Sequence, residues 1–441
     1  MTELRRELGA FSCTMLVAGN MIGIGIFVTA GRISFILPNP TYILLAWFFG
    51  GLLSLAGALS YAELGTRFPR AGGGYVYLRE AFGPLMGFLS GFSSSLVTLP
   101  GAAAFLAIGF TKYAGIQDPW TAKGVALLLI SAISIINYLG VKWGAGLQDG
   151  FMVLKLLLIF ILILAGFLSG NGSFSNFFVS QESSHSFWAA LPLAMVPILY
   201  TYSGWDATVY VAGEVKNPSK NIPVSLFFGT LLVTLIYLAL ASLYIYAVPV
   251  NSPENKTKIV TVASKIFFGD AIGKVIGGLV AVSILGCLSA TILTGPRILY
   301  AMAKDGLFPV ALSEVHASFA SPSKAIFFQG LLASILVVSG TFDQLLDYAT
   351  VPAIFFQTLS VLGLFVLRKR NHADHTHPVY STVGYPLIPI LFVIAMTWII
   401  VSTILKQPKD SCWGLAMVLL GIPIYFLWKK FSQKSIKSIS K

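Results

Sequence analysis

The sequence predicts an all-α polytopic membrane protein of about twelve transmembrane helices. Three observations lead there. Of 441 residues, 56% are hydrophobic and only 10% are charged. Mean hydropathy is +0.82. A soluble domain is about a quarter charged, so a chain this poor in charge cannot clothe a water-facing surface of its size. The apolar residues also come in runs of the roughly 20 that a helix needs to cross hydrocarbon. A β-barrel would instead alternate over ~10-residue strands.

In order, the apolar runs cover 8–36, 40–66, 81–112, 121–140, 147–169, 188–214, 223–248, 270–302, 323–340, 345–367, 384–405 and 411–428. They leave no domain-sized soluble segment, so 1–441 reads as a single transmembrane domain in a lipid bilayer. The first run exceeds the roughly 7–15 residues of a signal-peptide core and lacks a small-residue cleavage site, so it reads as a span. Cys13, Cys287 and Cys412 fall in or at the ends of spans, which implies no disulfide framework.

The formal net charge of +12 does not point to nucleic acid, because the cations segregate by side. The side shared by the two termini collects Arg5, Arg6, Arg67, Arg70, Arg79, Lys142, Lys216, Lys220, Arg297, Lys304, Lys324, Arg368, Lys369, Arg370 and the tail Lys429, Lys430, Lys434, Lys437 and Lys441. The other side has Arg32, Lys112, Lys123, Lys256, Lys258, Lys265, Lys274, Lys406 and Lys409. By the positive-inside rule the bias places both termini in the cytoplasm of a cell membrane. The lysines at 256–274 oppose it from a longer outside segment, where the rule weakens.

Two spans look interrupted. The first reads Gly19-Asn20-Met21-Ile22-Gly23-Ile24-Gly25-Ile26-Phe27, and the sixth reads Tyr200-Thr201-Tyr202-Ser203-Gly204-Trp205-Asp206. Glycines lower the cost of unwinding a helix, although small residues also serve close packing of membrane helices. Position favours unwinding. Spans one and six correspond if spans 1–5 (about 8–169) and 6–10 (about 188–367) are two repeats, with about 384–428 as additions. Paired, glycine-interrupted spans are the sequence mark of a transporter site.

Four stretches then carry a family resemblance. They are Ile22-Gly23-Ile24-Gly25-Ile26-Phe27; Tyr61-Ala62-Glu63-Leu64-Gly65 with Pro69, Gly72-Gly73, Tyr75 and Gly83-Pro84; Tyr202-Ser203-Gly204-Trp205-Asp206 with Glu214, Lys216, Asn217-Pro218 and Ile222-Pro223; and Arg297 with Ala303-Lys304-Asp305-Gly306 and Pro309. Together they resemble the amino acid–polyamine–organocation superfamily, and within it the L-type amino acid transporters. The resemblance implies a 5+5 inverted repeat with helices 1 and 6 discontinuous and two C-terminal helices added. It also implies alternating access and exchange of small neutral amino acids; separately, no nucleophile–base constellation is apparent and polar residues are scarce in the spans, so neither an enzyme nor a cofactor is expected. Many members carry serine between the two glycines of helix 1; here Ile24 stands there.

The chemistry of the breaks suits a zwitterion. Its carboxylate is expected on the Ile24, Gly25 and Ile26 amides, at a half-helix N-terminus. Its ammonium is expected on carbonyls of Met21, Ile22, Tyr200 and Ser203, with Gly23 and Gly25 permitting close approach and Tyr202, Gly204 and Trp205 completing the pocket. The resemblance implies that Trp205 closes over substrate as an outer gate. Lys155 lies about 12 Å into its span from Leu147 at ~1.5 Å per residue. A lysine there is either functional or snorkels to the interface. The resemblance implies that it stands in for a sodium ion, bridging Gly19 to the neighbourhood of Ser283 or Cys287, and so removes a sodium requirement. As a second possibility it carries a proton. Tyr237 is expected to touch the unwound part of helix 1.

Asp206 is expected to cap the second half of helix 6, with attraction of a cationic substrate as the alternative. Glu63 and Glu214 are expected to pair with arginine or lysine. The His372, His375 and His377 spacing suits a metal but reads as a solvated loop, so no metal site is expected. There is no phosphate-binding G-x-x-x-x-G-K-[S/T] loop. No cysteine lies between Thr111 and Ala122, where animal members tether an accessory glycoprotein, so no disulfide-linked partner is expected. A proton-coupled symporter, a cationic amino acid or polyamine carrier, and a non-transporting amino acid sensor remain the alternatives.

Overall fold

A computed structural model describes residues 3–179, 186–250, 252, 259–269, 273–340, 342–373 and 380–439. The chain opens with α1 (Ala10–Met21), an unwound turn at residues 22–24, and α2 (Gly25–Ile36), bent by 46° from α1. Next comes α3 (Pro40–Arg67). Its start is fixed by Pro40 at the first helical position and by Asn39, whose side chain accepts from the Thr41 and Tyr42 amides, satisfying donors that a helix start leaves open.

A short helix, α4 (Gly74–Phe82), precedes α5 (Pro84–Ser93) and α6 (Leu99–Tyr113). The third span was expected from residue 81. It begins at Pro84 because Gly83, at φ +94°, breaks the chain first. A π-helical turn at Ser94–Thr98 joins α5 to α6 just before Pro100, a residue that cannot donate to the preceding turn.

The bundle continues with α7 (Pro119–Tyr138), α8 (Val141–Leu168), α9 (Phe187–Tyr202), a turn at residues 203–206, the four-residue α10 (Ala207–Tyr210) and α11 (Pro218–Ala247). An unforeseen short helix, α12 (Ile259–Phe268), follows, then α13 (Gly273–Lys304), α14 (Ser323–Ser339), α15 (Phe342–Ala373), α16 (Leu387–Lys406) and α17 (Pro408–Ile439). Among the described residues nine helices are long and apolar enough to cross a membrane, and the bent α1–α2 pair makes ten. Of the other expected spans, α9 and α14 are shorter apolar helices of 16 and 17 residues. The chain is thus an all-helical, multi-pass membrane protein.

Helix α13 is the most enclosed of the spanning helices, whereas α7 and α8 turn much of their surface outward. The outward side chains include Leu128, Leu157 and Phe160, as lipid contact requires. Two buried acids, Glu214 and Glu63, are paired with arginine. Arg297 donates to both Glu214 oxygens, at 2.9 and 3.0 Å. Glu63 accepts from Arg67, from Arg368 and from the Thr382 amide and hydroxyl. The expected pairing of both acids holds. Paired, fully hydrogen-bonded charge is the form in which ions survive burial. Parts of the charge pattern, Lys256, Lys258 and Lys441, lie outside the described residues, as do the side chains of Lys274, Lys434 and Lys437.

Candidate functional site

The two broken helices meet. At Gly25, a Cβ would come within 2.8 Å of Thr201 Oγ1 and 3.1 Å of the Thr201 backbone; at Gly204, within 2.8 Å of the Asn20 side chain and 3.1 Å of its backbone. Gly204 also has φ +98°, a conformation other residues rarely adopt. Glycine is therefore dictated twice over, by conformation and by close approach of one break to the other. The hydroxyls of Thr29 and Thr201 add a contact of 3.1 Å between the two helices.

The meeting point opens into a cavity of about 220 Å³. Met21, Gly23, Ile24 and Gly25 line it from the first break, and Tyr200, Thr201, Ser203, Gly204 and Asp206 from the second. Cys287 and Thr291 of α13 and Gln357 of α15 close other sides. At the start of α2 the amides of Ile24, Gly25 and Ile26 belong to the first turn, whose N–H groups have no partner further up the helix. The helix dipole adds positive potential there. That end of the cavity can take an anion.

The carbonyls around the break are held by the protein's own donors. The Lys155 ammonium, wholly buried, donates to Gly19 O at 3.3 Å and to Ile22 O. Tyr237 Oη lies 2.8 Å from Met21 O and 3.0 Å from Thr201 O, tying both breaks with one hydroxyl. Cys287 Sγ donates to Asn20 O at 3.2 Å. Tyr200 O accepts from the Ser203 amide and hydroxyl. This modifies the expected ammonium site: Met21, Ile22 and Tyr200 carbonyls all serve protein donors first. The physical reason is that an unwound turn in the bundle interior leaves carbonyls that cost free energy unless satisfied.

Other placements differ from expectation. Trp205 does not line the central cavity. The residue is 2% exposed, its ring edge-on to Tyr61 at 4.9 Å and Phe392 at 6.2 Å, and it lines a smaller cavity of about 110 Å³ together with Tyr200 and Ser203. Tyr200, 39% exposed and facing the cavity, occupies the open position instead. Tyr202 is buried against Trp47 and Tyr237, its hydroxyl donating to Trp47 O at 3.0 Å. The side chains of Ile22 and Ile26 are buried as well, and neither residue lines the central cavity. Ser283 Oγ is buried without a hydrogen-bond partner and does not bond Lys155. From α13, Gly286 approaches closely, a Cβ there lying 3.1 Å from Lys155 Nζ, and the neighbouring Cys287 interacts electrostatically with Lys155, as expected.

Asp206 stands at the start of α10 but its side chain makes no capping bond. Its carboxylate accepts from Tyr210 Oη at 2.9 Å and from the Gln357 side chain. No described group of three or more His, Cys, Asp and Glu could hold a metal ion. Of the histidine cluster, His375 and His377 lie outside the described residues, as does the His372 side chain. The three cysteines are free. Asn20, Thr201, Thr291 and Gln357 are site residues that the sequence did not single out. Asn20 and Thr201 lay inside the quoted break segments; Thr291 and Gln357 sit in unbroken apolar helices with no signal of their own.

A helical bundle of this kind, with two broken helices facing a mid-bundle cavity, is the architecture of a membrane transporter. The chain belongs to the amino acid permease family, whose model matches residues 8–427. It is similar to the serine/threonine exchanger SteT of Bacillus subtilis, 31% identical over 97% of this chain and 98% of the relative. It is also similar to the human b(0,+)-type amino acid transporter 1, at 29% over all of this chain and 91% of the relative. The mouse large neutral amino acids transporter small subunit 2 is 29% identical over 96% of this chain and 81% of the relative. The family is one of transporters rather than enzymes.

Proposed function

We propose that this protein is a sodium-independent exchanger of small neutral L-amino acids that works by alternating access. The observation that carries the reading is the Lys155 ammonium on Gly19 O and Ile22 O. A fixed cation at the unwound turn supplies there what a bound metal cation would supply: positive charge matched to backbone carbonyls. The substrate carboxylate sits on the Ile24, Gly25 and Ile26 amides, and its side chain faces Tyr200, Ser203 and α13. Tyr200, rather than Trp205, is the side chain placed to cover it. The relatives named for serine/threonine exchange and for amino acid transport support the substrate class.

The same reading has twelve spans, α9 and α14 included, as two inverted repeats at about 8–169 and 188–367 with α16 and α17 added. Both termini face the cytoplasm of the plasma membrane, and the chain works without a disulfide-linked partner. Purified protein in proteoliposomes tests it. Labelled serine is expected to enter vesicles only when they hold unlabelled amino acid, equally in sodium and in choline. Uptake into empty vesicles driven by an inward proton gradient would replace exchange with proton symport. Dependence on sodium would remove the role given to Lys155.

A further inference from the structure

A further cavity, of about 340 Å³, opens at the end of the bundle where α1 begins and α3 and α13 finish. Glu3 and Arg6 line it from ahead of α1, Arg70 from past α3, and Lys304 and Asp305 from the end of α13. One side chain divides this vestibule from the central cavity. Tyr75 lines the central cavity, and its hydroxyl donates to Asp305 Oδ2 at 2.8 Å. Asp305 is also paired with Arg79. The vestibule therefore lies directly beyond the wall of the central cavity, and nothing in the exchange reading has yet used it.

Its charges are loosely held. Among the described residues no acid pairs with Arg6. Lys304 reaches Glu3 only at 3.7 Å, with side chains 57% and 81% exposed, and so exposed a pair contributes little. An inorganic anion taking Lys304 would leave Glu3 without its partner. A zwitterion replaces both partners, its carboxylate on Arg6 and Lys304 and its ammonium on Glu3. We propose that the vestibule is a second, low-affinity site for the amino acid zwitterion, where substrate docks on the cytoplasmic side before it passes Tyr75. This rests on the central cavity being the amino acid site and on cytoplasmic termini. Charges gathered in a cleft raise the local concentration of a matching ligand. The vestibule thus sets the apparent affinity on one face of the membrane and leaves the other face untouched.

Exchange of labelled serine is measured from each face: in intact cells for the outer one, and in inverted membrane vesicles from the same cells for the cytoplasmic one. Both are preloaded with serine and corrected with cells lacking the protein. Arg6→Gln and Lys304→Gln are each expected to raise KM about two- to fivefold in inverted vesicles, the scale of one exposed charge pair. KM in intact cells should not change. Arg6→Lys keeps the charge and is expected to keep most of the affinity. Raising ionic strength at constant osmolarity should raise KM of the unmutated protein in inverted vesicles only, because exposed charges are screened.

A cytoplasmic KM indifferent to salt overturns the proposal, even if the variants fail to fold. So does a KM that stays the same in both preparations when either cation is removed. Cations that merely bias the two facing states would move KM on both faces, in opposite directions, and that result overturns it too. A shift confined to intact cells puts the vestibule outside, and overturns the orientation of the termini with it. If the unmutated protein exchanges no serine in either preparation, the amino acid reading itself fails, and the proposal falls with it.

Discussion

Replacing Lys155 with methionine keeps most of the side chain's volume and removes its ammonium. Two interactions go: the hydrogen bonds to Gly19 O and to Ile22 O. Hydrogen bonds from a charged donor are worth roughly 1.5–3 kcal/mol each, and each buried carbonyl left bare costs about 1–3 kcal/mol. Against this, methionine relieves the desolvation of a fully buried charge, a matter of several kcal/mol. The net expected loss is about 2–4 kcal/mol. It is borne by one local geometry, the unwound turn of residues 22–24 held against α8. At 1.4 kcal/mol per factor of ten, the population with that turn correctly placed falls by about 30- to 700-fold.

Because the Ile24, Gly25 and Ile26 amides are aimed by the same turn, substrate affinity should fall with it. The assay is exchange of labelled serine across a concentration series, beside thermal unfolding of the purified variant. Exchange should drop by at least tenfold while the protein still folds with a lowered Tm. A methionine variant with unchanged affinity and rate would refute the reasoning, since the turn would then be held by something other than the ammonium.

Further expectations follow from the same geometry. Gly286→Ala puts a methyl 3.1 Å from Lys155 Nζ; exchange should fall severalfold, with less loss of Tm than in Lys155→Met. Gly204→Ala meets both an unfavourable φ of +98° and the Asn20 backbone at 3.1 Å, a cost of about 1–3 kcal/mol, so serine affinity measured by exchange should fall about tenfold or more. Tyr237→Phe frees Met21 O and Thr201 O together; at about 1–2 kcal/mol serine affinity should weaken by about five- to thirtyfold. Arg297→Met leaves Glu214 buried and unpaired, which should destabilise the fold by about 3–5 kcal/mol, seen as a large fall in Tm.

Much of the bundle was legible because lipid imposes a one-dimensional rule. A span must be apolar for about 20 residues wherever it lies in the chain; α3 and α16 follow their hydropathy runs closely, while α8 and α11 begin several residues before theirs. The breaks were legible for a related reason: Gly23 with Gly25, and Gly204, are punctuation that local backbone preference explains. The short helices α4 and α12 were not legible, because neither needs to cross the membrane and neither is long enough to show a pattern. Gln357 and Thr291 look like ordinary polar residues of apolar helices until the fold turns them toward the cavity.

By itself, then, the sequence determined which stretches are apolar enough to form long helices and where two helices unwind, since both depend on local composition. Only the tertiary structure decided who satisfies the unwound backbone. It brought Lys155 across 133 residues to Ile22 O and Tyr237 across 216 residues to Met21 O. It packed Trp205 against Tyr61 and Phe392 and brought Asp206, Tyr210 and Gln357 together at the central cavity. Such pairings join residues from different helices. They are set by how the helices pack and by the cost of leaving polar groups unsatisfied in a medium without water.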